Sequence, residues 1–151
     1  MHGKGVDKNE AEAARYFQIA ADQSHRSAQF ALGVSCEFGA GVTKNMAKAA
    51  RYYKLAADQG CVKAQFNLAV CYQGGTGVSV SNVKAFGYFQ MAAEEGDSDA
   101  QFSLGRCYEF GTGVKEDWMG ATKYYKLAAE QGHEDAIERC SRTRYGKKRS
   151  F

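Results

Sequence analysis

Apolar residues recur along this chain at the spacing of one helix face. In the segment before Gly60, Ala49, Tyr52, Tyr53 and Ala56 stand at positions i, i+3, i+4 and i+7, which lie on the same side of an α-helix. Three other segments have the same pattern, at positions 13, 16, 17 and 20, at 85, 88, 89 and 92, and at 121, 124, 125 and 128. The pattern predicts four amphipathic helices with equivalent buried faces.

The sequence repeats with a period of 36 residues. The tripeptide AQF begins at positions 28, 64 and 100, and the hexapeptide YYKLAA begins at 52 and again at 124, two periods later. Ahead of the amphipathic helix lies a second helical pattern, from about Ala28 to Phe38, and a glycine-rich connector joins the two. Each unit is therefore predicted to be an antiparallel helix pair. A pair of this size cannot bury its own apolar face and must stack on its neighbours.

Residues that begin and end helices stand in fixed register. The second helix of each unit is predicted to follow a residue whose side chain accepts a hydrogen bond from a backbone N–H of the first turn, namely Asn9, Asn45, Ser81 and Asp117. Glycine at 60, 96 and 132, replaced by Ser24 in the first unit, is predicted to adopt the left-handed conformation that ends a helix. Leu32, Gly33 and Cys36 form the packing row of the first helix, and a small residue at 33, 69 and 105 permits close approach of the second.

The composition predicts a chain that buries a core and does not cross a membrane. Apolar residues make up 44% of the chain, but no apolar run approaches the ~18 residues of a transmembrane helix. No leader of signal-peptide type follows Met1, so we expect a cytoplasmic location. The chain opens in the middle of a period, and a preceding segment with a lost signal sequence is left open.

Basic residues concentrate near the C-terminus. Residues 139–151 contain six basic side chains and no acidic one, whereas residues 1–138 contain 14 basic and 17 acidic side chains. The mildly acidic body argues against nucleic acid as the ligand of the repeat array.

The five cysteines are predicted to be reduced and mostly buried. The chain has no CxxC pair and no histidine at zinc-ligand spacing, so no metal or cofactor is expected. Cys71 and Cys107 occupy equivalent positions in consecutive units, where helix axes lie about 8–10 Å apart. A disulfide needs Cα atoms within roughly 7 Å.

One repeat is clearest between Ala100 and His133, where the pattern reads AQFxLGxxYxxGTGVxxDxxxAxxYYxxAAEQGH. This pattern resembles the Sel-one-like repeat (SLR), a relative of the tetratricopeptide repeat. The resemblance implies an all-α fold, a right-handed α/α superhelix (solenoid) of 36-residue helix-turn-helix repeats, and a non-catalytic adaptor or scaffold. The chain then divides into the second half of a repeat (1–27), three full repeats (28–63, 64–99 and 100–135), the start of a further or capping helix (136–145) and a basic tail (146–151).

Two short motifs resemble those of enzymes, and one of them favours an alternative to the non-catalytic role. Ser81 to Lys84 read S-x-x-K, as in penicillin-recognising serine enzymes, and some cysteine-rich relatives of the repeat family are described as binding penicillins. This favours a β-lactam-binding or hydrolase-like activity, although the partner motifs S-D-N and K-T-G are absent and Ser81 is also a predicted N-cap. His133-Glu134 begins like H-E-x-x-H, but residue 137 is Ile. We expect no catalytic residues, and we expect His25 and His133 to be exposed turn residues.

The first helices of stacked helix pairs line the concave surface, which is the usual binding face. The side opposite the packing row is therefore the predicted partner-binding face, and it comprises Phe30, Val34, Glu37, Phe66, Val70, Gln73, Phe102, Arg106 and Glu109. Three phenylalanines in one register would act as apolar anchors, and their variable neighbours would give specificity. The alternative is that these phenylalanines pack between adjacent first helices and belong to the core.

The expected partner is a protein or peptide of unknown identity, with neither nucleic acid nor a membrane involved. Tyr16 and Phe17 would lack a packing partner on one side, so the N-terminal end is expected to self-associate or fray. A further interpretation is that the array is a structural spacer cut from a larger protein.

Overall fold

The computed structural model describes the backbone of residues 4–149 and the side chains of residues 8–142. Within this part of the chain all regular structure is helical, which confirms the predicted all-α class. The helices are α1 (Lys4–Asp22), α2 (Arg26–Phe38), α3 (Met46–Asp58), α4 (Val62–Gly74), α5 (Asn82–Glu94), α6 (Ser98–Phe110), α7 (Trp118–Glu130) and α8 (Glu134–Arg149). They form two compact units, with α1–α4 in unit 1 (Met1–Val80) and α5–α8 in unit 2 (Ser81–Phe151).

In unit 1 each helix packs against the next one along the chain, so that α2 contacts both α1 and α3, and α3 contacts α4. Leu32 of α2 is buried, and Tyr53 and Ala49 of α3 are completely so. A Cβ atom added at Gly33 would lie 2.7 Å from ring carbons of Tyr53. The predicted close approach of the second helix over a small residue is therefore confirmed.

Unit 2 is built in the same way, with α6 between α5 and α7, and α8 against α7. Tyr125 of α7 and Leu104 of α6 are buried, and Phe89 of α5 joins them in the core. A Cβ atom at Gly105 would lie 2.7 Å from ring carbons of Tyr125. The same contact therefore joins the two helices of a pair in both units.

Three of the four predicted N-caps are confirmed. The side chains of Asn45 and Ser81 accept hydrogen bonds from the N–H groups of Lys48 and Lys84, and the third, Asp117, caps α7 in the same way. The prediction for Asn9 is wrong, because α1 already begins at Lys4 and Asn9 lies inside it.

A backbone bond to the preceding helix accompanies two of the three confirmed caps. The N–H groups of Asn45 and Asp117 donate to carbonyls of the preceding helix, those of Cys36 and Tyr108. These bonds hold the end of each of these two connectors against that helix. Asn9 has no counterpart of this bond among the residues that the structure describes.

The glycine-rich connectors contain one position that only glycine can occupy. Gly41, Gly77 and Gly113 each have φ of +74°, and an added Cβ atom would lie 2.1–2.2 Å from a carbonyl oxygen of an earlier helix. Both the left-handed backbone and this contact exclude a side chain. The recurrent Gly-Val of the sequence thus marks where each connector rests on the start or the middle of an earlier helix.

Glycine at 60, 96 and 132 has positive φ, as does Ser24, so the predicted left-handed residues at these helix ends are confirmed. Within residues 4–149, no helix combines the length and the apolar character that a membrane span requires.

Candidate protein-interaction surface

The predicted binding row lies along α2 and α4 in unit 1 and along α6 in unit 2. Val70, Gln73 and Arg106 are exposed, and the other six members are half-buried. The rings of Phe30 and Phe102 contact the second helix of their pair, with centroids 5.8 Å from Tyr53 and 5.5 Å from Tyr125. Each ring therefore rests on the core and also presents part of its surface to solvent.

Glu37 and Glu109 do not simply face solvent as the pattern predicted. Glu37 accepts a hydrogen bond from the hydroxyl of Tyr53, and Glu109 accepts one from Tyr125 at 2.5 Å. The reason is that a buried tyrosine hydroxyl needs a partner, and the glutamate one helix away supplies it. Burial, followed by the hydrogen bond and charge of the glutamate, raises the pKa of both tyrosines above the ordinary value.

Glu109 also binds an arginine of α8. Its Oε1 lies 2.8 Å from Nη1 of Arg139, whose guanidinium stands 5.8 Å above the ring of Phe110. Sequence reasoning had assigned Arg139 only to the basic C-terminal segment. In the structure it is part of a network that joins α6, α7 and α8. A short sequence motif could not have predicted this contact, because the two residues lie 30 positions apart in the chain.

His133 corrects another expectation, because it is not an exposed turn residue. Its ring stacks on Phe102 with centroids 4.6 Å apart. Its Nε2 lies 3.1 Å from Oδ1 of Asp99, and its Nδ1 accepts the N–H of Ala136 at the start of α8. A neutral imidazole with the proton on Nε2 makes both bonds at once. His25, in the same register, is exposed and makes no cap bond with its side chain.

Buried glutamines were missed by sequence reasoning. Gln29, Gln65 and Gln101 follow the alanine of each AQF motif and are at most 5% exposed. Each donates to the carbonyl eight residues before it, at 3.3–3.5 Å. Gln59 and Gln131 in turn donate to the side-chain oxygens of Gln29 and Gln101. The exact recurrence of glutamine beside an apolar helix face was the available signal.

All five cysteines lie in the described part of the chain, and none of them forms a disulfide, as predicted. Burial raises the pKa of Cys36 and Cys71, and it raises the pKa of Cys107 to about 11. These thiols therefore stay protonated at neutral pH and behave as small core residues.

The α1 face that would match the buried face of α3 and α7 is open. Tyr16 is 72% exposed and Phe17 36% exposed, whereas Tyr53 and Tyr125, in the register of Phe17, are at most 1% exposed. The ring of Phe17 is thus more exposed than the rings at the equivalent positions of α3 and α7.

The helix pairs and their contacts match a known repeat. The family model of the Sel1 repeat matches residues 1–25, 26–61, 62–97 and 98–133. The chain belongs to the Sel1 repeat family. Proteins of this family typically act as protein–protein interaction scaffolds. Membership of the Sel1 family confirms the predicted resemblance and the α-solenoid class of helix pairs about 36 residues long.

Solved structures agree with this Sel1 assignment. A protective antigen present in uropathogenic Escherichia coli strains, which displays an SLR fold, is 40% identical with a TM-score of 0.77 and covers 78% of this chain and 25% of its own. A Sel1 repeat protein from Oxalobacter formigenes is 36% identical with a TM-score of 0.80, covering 83% of this chain and 52% of its own. The Sel1 chain described here thus spans a quarter and about half of these two proteins.

Helicobacter pylori cysteine rich protein B shows the same fold at lower identity. It is 24% identical with a TM-score of 0.70, and the match covers 90% of this chain and 98% of that one. No curated protein matches the chain significantly.

Proposed function

We propose that this chain is a non-catalytic interaction module that binds an extended peptide or a helix of a protein partner. The proposed surface is the row on α2 and α4 in unit 1 and the row on α6 in unit 2. One observation carries the proposal: three phenylalanines in one register are half-buried and keep part of their surface in solvent, and Phe30 and Phe102 each rest on a buried tyrosine of the next helix.

Such rings suit recognition because they lose little freedom on binding. Packing against Tyr53 and Tyr125 restricts the rotamers of Phe30 and Phe102 before a partner arrives, which lowers the entropy cost of association. An aromatic side chain held in place also contributes more buried area per residue than most others.

The neighbours of these rings supply the variation that specificity needs. The residue four positions after each phenylalanine is Val34, Val70 and Arg106 in turn. Shared anchors with different neighbours would allow one repeat design to distinguish partners.

An affinity pull-down from a lysate of the source cell, read by mass spectrometry, tests the proposal. The native chain is compared with a variant carrying Phe66→Ala, Phe102→Ala and Arg106→Glu. The matched control carries Leu55→Ala and Lys126→Glu, which are exposed positions on α3 and α7. All three must give the same helical circular dichroism. A partner kept by native and control and lost by the triple variant supports the surface; equal recovery from all three rejects it.

A hydrolase-like activity at Ser81 and Lys84 is the weaker alternative. The hydroxyl of Ser81 accepts the N–H of Lys84 at 3.2 Å and so caps α5, the same task that Asn45 and Asp117 perform in their repeats. A β-lactam hydrolysis assay of the native chain and Ser81→Ala distinguishes the two. Turnover lost in the variant would favour the enzyme.

The open face of α1 supports self-association as a second mode of interaction. Phe17 presents apolar area that the equivalent positions of α3 and α7 bury, and Tyr16 beside it is 72% exposed. A second copy of the chain would cover both. A structural spacer within a larger protein is the remaining alternative, and the pull-down distinguishes it because a spacer retains no partner through its row.

A further inference from the structure

Unit 2 contains an open cavity between α6 and α8. Its volume is about 290 Å³, and it is lined by Phe102, Arg106, Asp135, Glu138, Arg139 and Arg142. Two of these residues, Phe102 and Arg106, belong to the row proposed above for binding, so the cavity is continuous with that row.

Two of the three arginines already form ion pairs, and the two pairs differ in how much they contribute to stability. Arg139 is half-buried and bonds to Glu109, which Tyr125 also holds, so this pair is firmly placed. Arg142 pairs with Glu138 four residues earlier on α8, and both side chains are more than half exposed. An exposed pair of this kind contributes little stability, and a ligand carboxylate could replace Glu138 at Arg142 at low cost.

Arg106 is the third arginine of the cavity, and it differs from the other two in having no counterion in the described part of the chain. It is exposed, and no ion pair involves it among the residues that the structure describes. In the same register the other repeats have Val34 and Val70. Stacking of the repeats therefore does not require a charge at this position.

The remaining carboxylate of the lining is Asp135. It lies in the first turn of α8, where the helix dipole stabilises negative charge. Three guanidinium groups and two carboxylates line the cavity, so its side chains carry a net charge of +1. Arg106 is the arginine of the lining that no ion pair holds among the described residues, and Phe102 lines the same cavity.

We propose that this cavity binds an acidic side chain of an extended peptide, with an apolar residue next to it. The carboxylate would bond to Arg106 and Arg142, whose planar guanidinium groups match carboxylate geometry, and the apolar neighbour would contact Phe102. The inference rests on the proposed function, because it names the kind of peptide that the unit 2 part of the row accepts.

Selection from a phage-displayed library of random twelve-residue peptides tests the inference on the whole chain. The baits are the native chain, Arg106→Val and Lys126→Val. The first variant installs the residue that the other repeats have in this register, and the second removes an exposed charge from α7 instead. One enriched peptide is then synthesised, together with a copy in which Asp and Glu become Asn and Gln, and fluorescence anisotropy measures the binding of both.

We expect the native chain and Lys126→Val to enrich peptides with Asp or Glu beside an apolar residue, and Arg106→Val to lose this preference. The amide copy and the Arg106→Val variant should each bind about tenfold more weakly, the loss expected for one charged hydrogen-bonded contact. Acidic enrichment that persists with Arg106→Val would overturn the inference.

Two further outcomes separate this inference from the proposed function. Enriched peptides without an acidic excess, whose binding is lost with Phe66→Ala, would overturn the acidic-peptide inference and leave the proposed function standing. No enrichment on the native chain would count against both.

Discussion

Tyr53 and Tyr125 are the two largest fully buried side chains of the described structure, and each has a hydroxyl that an apolar core would leave without a partner. The glutamate sixteen residues before each tyrosine supplies the acceptor. The intervening repeat has Phe89 in the register of the tyrosines and Gln73 in that of the glutamates. Hydroxyl and carboxylate therefore occur together in two repeats and are both replaced in the third.

This pairing predicts a measurable coupling between Tyr53 and Glu37. Tyr53→Phe should lower the free energy of unfolding by about 1–2 kcal/mol, because the bond to Glu37 is lost. The double variant with Glu37→Gln reproduces the natural pair at positions 89 and 73, and it should be less destabilised than the sum of the single variants. Urea unfolding followed by circular dichroism measures the stability of the native chain, the two single variants and the double variant, which together form a double-mutant cycle. Strictly additive losses of stability would show that the bond has no energetic role.

The raised pKa values at the core predict loss of stability at alkaline pH. For Cys107 the ordinary value is 9.0 and the folded value is about 11. Its contribution is therefore complete below pH 9 and is lost between pH 9 and 11, because the unfolded thiol ionises first. Tyr53 and Tyr125 act in the same direction above their ordinary value of 10.0.

Urea unfolding at pH 8 to 11 measures this effect. Stability should fall with pH above 9, and Cys107→Val should reduce the slope by up to about 1.4 kcal/mol per pH unit over that range. Identical slopes for the native chain and the variant would contradict the role given to Cys107.

At the scale of the elements, the connectors depend on the contact between a glycine and an earlier helix. Gly113 has φ of +74°, and a Cβ atom there would lie 2.1 Å from the carbonyl oxygen of Asn82. Gly132 has φ of +86° but no atom within 4 Å of such a Cβ. The two positions share the backbone conformation and differ in the contact.

Alanine at these two glycines therefore separates backbone strain from steric contact. Gly132→Ala should cost about 1 kcal/mol for the left-handed conformation alone. Gly113→Ala should cost clearly more, by ~2 kcal/mol or above, because the connector must also move away from α5. Thermal unfolding of both variants checks this, and equal losses would mean that the connector does not rest on α5 in solution.

Periodicity predicted most of the elements, and the errors have physical reasons. Repetition placed the helices, the caps at Asn45, Ser81 and Asp117, and the close approach over Gly33, because local spacing decides these features. Asn9 was misplaced because α1 already begins at Lys4, and the register of the repeat does not show how far a helix extends ahead of its expected cap. A helical pattern also separates one face from another but does not pair donors with acceptors, and this is why Glu37, Gln29 and His133 were misjudged or missed.

At the scale of the whole molecule, the open α1 face predicts self-association that depends on concentration. Phe17→Ser should keep the chain monomeric, because Phe17 contributes the apolar area that the equivalent tyrosines bury. Size-exclusion chromatography with light scattering over ~10–200 μM checks it, with Val83→Ser, which changes a residue 71% exposed on α5, as the control. A native chain that stays monomeric throughout, with strong hydrogen-exchange protection of residues 10–20, would contradict the prediction.

The most direct test of the central claim is to determine which helices touch the partner. A photo-crosslinking amino acid is placed at Val70 on α4 or Arg106 on α6, and, as matched controls in the same units, at Lys54 on α3 or Lys126 on α7. All four are exposed, so differences in crosslinking report contact rather than accessibility. After irradiation in lysate of the source cell, we predict the same protein adduct from positions 70 and 106 and none from 54 and 126. Adducts of equal yield from all four, or only from the controls, would contradict binding through the first helices.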